Sequence, residues 1–368
     1  MSVTLDDLRR LAVAQSLFPP TTLKRTLHRL RFVQADPIRS PARAQDLILR
    51  HRVKNYHAGD LERRYTTLGI AEDFFINYGF VTPELQALMH PRSDSCVPAE
   101  ARLPWPARRR TRAMELLEFV RARGEVHPQE VDAHFAHGKV RNYWGGKSNA
   151  TTHLLDAMHY QGMLRIVRRE KGIRVYAVHE HGPIPTDEAE CANRLDALID
   201  AAVRIYAPLP LFSLRFLVRR IRYAAPQWQD SLVPALKRAR ERLAHAHVDG
   251  TDWYWPQEWK LMRREPSDTV YLLTPFDPVV WDRWRFEILW GWTYRFEAYT
   301  PPAKRVRGYY AQPLLWRDRV IGWGNLAVKE GKLAADFGFI AKEPRESLFK
   351  RELEAELERM RAFLGVKR

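Results

Sequence analysis

Between residues 107 and 181 the spacing of apolar side chains leaves few folds open. Residues 111–123 carry an amphipathic helical pattern that stops at Gly124. Residues 126–135 repeat it, with Pro128 in the first turn. A loop containing Gly145, Gly146 and Lys147 precedes a third such stretch, from Ser148 or Asn149 to Tyr160, ended by Gly162. Residues 163–168 and 173–178 then alternate, the period of strands, around the basic turn Arg168-Arg169-Glu170-Lys171-Gly172. Three helices followed by a two-stranded hairpin predict a winged helix-turn-helix, with the third helix turned to a groove and the wing to phosphates. A plain helical domain with a hairpin attached has the same pattern.

The flanking segments extend this scheme. Helices are expected over residues 4–17, capped by Thr4 with Asp7, and from Thr21 or Thr22 to Arg31. A third is expected from Ser40-Pro41 to about Arg52, and a fourth over 61–68, with a strand inside 70–80. Residues 93–106 and 182–185 read as linkers. Residues 187–206, 211–223 and 229–245 read as three more helices, with a wing strand at 253–255. From Val270 the pattern turns strand-like, at 270–273, 296–299, 308–315, 319–325 and 332–339, before a charged amphipathic helix over 347–364. The expected fold is α+β and mainly α, with three tandem winged helix-turn-helix units, a small C-terminal antiparallel β unit and a terminal helix. Its boundaries fall at 1–95, 107–181, 186–262 and 268–368.

A formal net charge of +16 over 368 residues, spread through many clusters, favours a broad nucleic-acid surface. Charge that serves only solubility is the competing reading. Cys96 and Cys191 offer no metal spacing and no disulfide framework, which points to a reducing cytoplasm. Residues 1–10 lack the apolar core of a signal peptide, and no apolar run reaches the length of a membrane span.

The stretch with most chemistry is Phe32-Val33-Gln34-Ala35-Asp36-Pro37-Ile38. Pro37 disfavours the helical region at Asp36, and in an extended segment residues two apart face the same side. Gln34 and Asp36 thus present an amide beside a carboxylate. An Asp-Pro turn or helix cap uses the same residues.

Three places resemble the winged-helix DNA glycosylases of the YcaQ and AlkZ type, which repair interstrand crosslinks. One is Val33-Gln34-Ala35-Asp36 with Arg43-Ala44-Gln45-Asp46-Leu47 and Arg50-His51-Arg52, which looks like the family's Gln-apolar-Asp motif and the helix after it. The second is the winged helix ending in Tyr160-Gln161-Gly162 and Tyr176. The most specific runs from Thr274-Pro275-Phe276-Asp277-Pro278 through Trp281-Asp282-Arg283, Tyr294-Arg295-Phe296-Glu297 and Tyr299 to Gly308-Tyr309-Tyr310 and Pro313. The chain departs from the family pattern at Ala35, at Gln45 where a histidine is usual, and at Gly322-Trp323-Gly324-Asn325.

The resemblance implies hydrolysis of the N-glycosidic bond of N7-alkylated guanine, including bulky adducts and crosslinks, with Asp36 and Gln34 catalytic. Asp36 would stabilise an oxocarbenium-like sugar and accept a water proton, while Gln34 orients the water. The partner is then double-stranded DNA carrying alkylated guanine, and a monomer without cofactor or metal suffices. Lysines near the motif are limited to Lys24 and Lys54, so no lyase step is expected. Candidate phosphate contacts are Arg39, Arg43, Arg50 and Arg52 by the motif, Lys147, Arg168, Arg169 and Lys171 in the second unit, and Lys237, Arg238 and Arg240 in the third. Tyr143 and Trp144 are candidates to probe the duplex or to pack in the core; His134, His137, His153 and His159 are more ordinary as surface histidines than as a metal cluster. A non-enzymatic winged-helix DNA-binding protein is the alternative function.

Overall fold

The computed structural model describes residues 2–92, 107–135, 138–141, 147–182, 185, 187–261 and 265–367, the side chains of 107, 139–141, 147 and 148 aside. The chain is α+β and divides into two compact units. One comprises Met1–Leu61, Ile199–Arg219 and Leu236–Arg368, the other Glu62–Leu198 and Arg220–Ala235.

The first unit opens with the helix Leu5–Ser16. Thr4 Oγ1 accepts the Asp7 amide at 3.2 Å while Asp7 Oδ2 accepts the Thr4 amide at 2.9 Å, the reciprocal cap expected there. Helix Leu23–Leu30 is capped by Thr22 and stops where Arg31 takes a left-handed conformation. The short strand Phe32–Gln34 follows. The helix expected from Ser40 begins later and ends earlier, at Ala44–Leu49. The Ser40 amide turns back to the Ala42 carbonyl, and extended Arg43 takes the cap position without a side-chain bond. The serine hydroxyl therefore stands outside the first turn it was expected to close.

Four strands, Val270–Leu272, Gln312–Trp316, Arg319–Lys329 and Lys332–Phe339, pair antiparallel in that order. Leu272 faces Leu314 and Gly324 faces Phe337. The helix Ser347–Leu364 packs on this sheet. Its Glu356 accepts the Leu272 amide at 3.0 Å, and Phe349 meets Trp316 at 5.2 Å between ring centroids. Beneath lies a core of Leu273, Val279, Val280, Phe286, Trp292, Tyr294, Leu315 and Val320. The strand expected at 296–299 is a turn instead, closed by the Thr300 amide on the Glu297 carbonyl. The strand expected from Gly308 starts at Gln312, because Gly308 has φ +125°, outside the strand region. A further hairpin, Ala244–Val248 with Thr251–Trp255, extends the expected wing strand and pairs with Leu209–Pro210.

The second unit keeps the order read from the sequence. Helices Ala107–Arg123, Pro128–Phe135 and Ala150–Tyr160 precede the strands Leu164–Glu170 and Ile173–Val178. Their core joins Leu116, Val120, Val131, Leu155, Met158, Leu164, Ile166 and Tyr176. The third helix starts where Asn149 Oδ1 accepts the amides of Thr151 and Thr152. Lys147 lies before it, in a strand paired with Lys139–Arg141. Val126 belongs to a strand rather than to the second helix. The segment 61–68 forms two single turns, Asp60–Arg63 and Tyr65–Leu68, because Arg64 between them leaves helical geometry. The strand sought within 70–80 is a hairpin, Ala71–Phe74 with Tyr78–Val81. The linker at 93–106, residues 183 and 184, His137, Tyr143, Trp144, Gly145 and Gly146 lie outside the described residues.

Candidate active site

Gln34 ends its strand as a buried residue, 9 % exposed, and Asp36 follows two residues later in non-helical chain, half-buried. The Ile38 amide donates to Asp36 Oδ1 at 2.9 Å. Among the described residues no ion pair reaches this carboxylate. Burial pushes its pKa above the ordinary aspartate value, and the Ile38 hydrogen bond opposes that rise only in part. An unpaired, partly desolvated acid is costly as structure and useful as chemistry.

Two tyrosines lie within reach of its charge. Burial first, and the Asp36 charge next, raise the phenol pKa of Tyr299. Tyr310 is raised by burial too, and Asp36 adds to it. Tyr299 is 72 % exposed; Tyr310 is buried with its hydroxyl 2.9 Å from Thr274 Oγ1. Phe296 meets Tyr310 at 5.4 Å and Tyr299 at 6.1 Å, both edge-on.

The segment between these tyrosines is held from beneath. Glu297 accepts the amides of Val306, Arg307 and Gly308 at 3.0, 2.8 and 3.1 Å. Burial alone would raise the Glu297 carboxyl, but these amides outweigh it and hold the group below the usual range. Asn325 Nδ2 donates to the Arg307 carbonyl at 2.7 Å, so this departure from the family pattern props the loop. Trp323 stacks on Trp292 at 6.0 Å, with the Arg307 guanidinium over both rings. Neither residue was singled out from the sequence as a support, nor was Tyr299 as a site residue.

The basic candidates separate by burial. Arg52 is fully buried: it donates to Asp277 Oδ2 at 2.7 Å and Oδ1 at 3.0 Å, and to the carbonyls of Ser16 and Ile48. Arg50 pairs with buried Glu356 and donates to the Leu272 carbonyl at 3.1 Å. Both were expected at phosphates. Their donors are instead committed inside the protein, where a charge persists only when paired. Gln45 is also buried, 2 % exposed. Arg169 pairs with buried Glu72 at 2.5 Å, and Arg168 with Glu125 and Glu170. Arg43 and Arg238 are partly buried. Arg240 is exposed and reaches Tyr254 Oη at 3.1 Å. Arg39, Lys171 and Lys237 are exposed and have no ion-pair partner among the described residues. The Lys147 side chain is outside the described set.

His134 stacks on Phe119 at 4.6 Å, and buried His159 bonds to the Glu72 carbonyl at 2.9 Å. His134 is a surface histidine as expected, whereas His159 is buried rather than on the surface, its ring held by the Glu72 carbonyl. No described helix is long and apolar enough to cross a membrane.

A family model for "DNA glycosylase AlkZ-like" matches residues 27–363. Among solved structures, the Streptomyces sahachiroi DNA glycosylase AlkZ superposes with a TM-score of 0.65 at 16 % identity, covering 100 % of this chain and 98 % of that one. The match takes in the Asp36 bend, the hairpin-bearing unit and the Thr274–Pro313 block alike, and on that extent the chain belongs to the AlkZ-like DNA glycosylase family.

Proposed function

We propose that the chain hydrolyses the N-glycosidic bond of N7-alkylated guanine in duplex DNA, bulky and crosslinking adducts included, and leaves an abasic site. The observation that carries this is the half-buried carboxylate of Asp36, without an ion pair among the described residues, two residues beyond Gln34 on a non-helical bend.

Alkylation at N7 makes the base cationic. The C1′–N9 bond then breaks with its electron pair moving to the base, which departs neutral without a general acid. The sugar left behind is oxocarbenium-like. Asp36 stabilises that charge, and as water bonds to C1′ the carboxylate takes the water's proton. Gln34 orients the water. Tyr299, exposed beside the acid, offers an aromatic face to a base or sugar edge. No amine is assigned to attack C1′, so the enzyme is a monofunctional glycosylase acting as a monomer.

Phosphates are assigned to Arg39, Arg43, Lys147, Lys171, Lys237, Arg238 and Arg240, with Arg168 available if it leaves its surface carboxylates. The order helix–helix–helix–hairpin in residues 107–178 supports a winged-helix reading of that region. Tandem units at 1–95, 107–181 and 186–262, with a β unit at 268–368, are the domain scheme that goes with it.

The test is incubation with duplex DNA carrying N7-methylguanine, followed by alkali to cut at abasic sites. Strand breaks are expected with wild type and, at least ~100-fold fewer, with Asp36→Asn. Equal breakage by both removes Asp36 from the role. Binding without base release by either makes the chain a DNA-holding protein.

A further inference from the structure

Outside the Asp36 site, His90, His179 and His181 converge within the second compact unit. One ring nitrogen from each lies within 4.8 Å of the other two. His90 directly follows the helix Pro83–Met89, and the other two follow the strand Ile173–Val178. The rings are packed: His90 on His181 at 4.9 Å, His179 on His181 at 4.0 Å between centroids.

Hydrogen bonding sets which nitrogens are left over. His90 Nε2 is 2.7 Å from Asp73 Oδ2, and His181 Nε2 is 2.5 Å from the Gly162 carbonyl. Both partners only accept, so each Nε2 carries the proton and each Nδ1 keeps its lone pair. His90 is 5 % exposed, yet its Nδ1 has no hydrogen-bond partner. The His179 ring has no hydrogen-bond partner among the described residues. Gly162 keeps the space open: a Cβ there would stand 2.5 Å from His90 Nδ1 and 3.2 Å from His181 Nε2. Asp73 is in turn fixed by Arg92 at 2.8 Å and Gln86 at 2.8 Å.

Imidazoles whose second nitrogen donates to a carboxylate or a carbonyl have the hydrogen bonding of metal-bound histidine. Two such ligands on one zinc ion, each at ~2.1 Å, stand no more than ~4.2 Å apart, against the 4.8 Å within which a ring nitrogen of each histidine lies here, so the rings turn to close on an ion. We infer that His90, His179 and His181 form a binding site for a divalent, imidazole-preferring transition metal of the zinc class, with a fourth position open to water. The ion clips the end of the helix Pro83–Met89 to the chain leaving the hairpin. It is not part of the base-release chemistry, and its test does not depend on that reading.

The full-length chain without a purification tag, stripped with chelator, is titrated with Co²⁺ as the spectroscopic probe and then with Zn²⁺. Wild type is expected to develop saturable visible absorption of a nitrogen-ligated ion, which Zn²⁺ bleaches, and Zn²⁺ alone is expected to raise the melting temperature. His181→Gln and His179→Ala, each checked by circular dichroism, are expected to bind at least ~10-fold more weakly. No saturable uptake by wild type overturns the site whatever the variants do. Folded variants that bind as wild type does overturn it equally.

Discussion

Arg39 and Arg52 flank the same short helix and meet opposite surroundings. Arg52 is sealed in, and its guanidinium spends its donors on Asp277 and two carbonyls. Asp277→Ala leaves that charge buried without its partner. Stability measured by urea denaturation is expected to fall by about 3–5 kcal/mol, and a loss under about 1 kcal/mol would remove the pair from the core's supports. Arg39 is exposed, so Arg39→Ala is expected to leave melting unchanged. It should reduce the slope of log binding constant against log salt by about 0.9, the value of one phosphate contact. Asp36 carries a pH signature. Its proton is held more tightly than in an ordinary aspartate, chiefly through burial, and in the mechanism proposed above the reactive form is the carboxylate. Base release is therefore expected to fall as pH drops through a pKa above the usual carboxylate value, in single-turnover assays on a pre-alkylated duplex. A profile flat to the ordinary aspartate pKa would count against that assignment. The same shift fixes the sign for stability. The folded state binds this proton better than the unfolded state, so ionised Asp36 opposes folding above its raised pKa. Asp36→Asn should then be neutral to mildly stabilising at neutral pH while it lowers base release at least ~100-fold. Such opposition is common where a group is kept for chemistry rather than packing.

At the scale of elements, the loop from Glu297 to Gly308 and the hairpin around Lys171 differ in how they are held. The loop has no strand partner and is organised by one carboxylate collecting three consecutive amides. Gly308 sits at φ +125°, and a Cβ there would overlap the Asn325 amide. Gly308→Ala is expected to cost about 1–3 kcal/mol. It should also lower base release more than DNA binding, because the loop carries Tyr299, which lies within reach of the Asp36 charge; unchanged base release in a folded variant would detach the loop from the proposed site. The hairpin is determined locally. Lys171 at φ +50° and Gly172 at φ +87° make the two-residue turn that matches strand twist, between Glu170 and Ile173. For that reason its strands were legible in the sequence to within two residues. The loop was not: nothing in residues 296–299 says that Glu297 will bond to amides nine to eleven residues on rather than join a sheet.

For the whole molecule, a net charge of +16 predicts duplex binding with steep salt dependence. Between 50 and 200 mM salt, affinity is expected to fall at least about 100-fold, and a shallow slope would confine the charge to solubility. The sequence by itself determined what depends on neighbours along the chain: the Thr4 cap, the apolar periods of the helices, the alternating strands of the hairpin and the non-helical bend at Asp36. Those signals are local because backbone hydrogen bonding and side-chain period repeat within a few residues. Tertiary structure alone decided which arginines face water and which are entombed, since Arg52 meets Asp277 across 225 residues of sequence. It also brought His90 to His179 and His181, and set Tyr299 beside Asp36. Burial and charge pairing are properties of what the folded chain brings together, and a side chain's type does not record them.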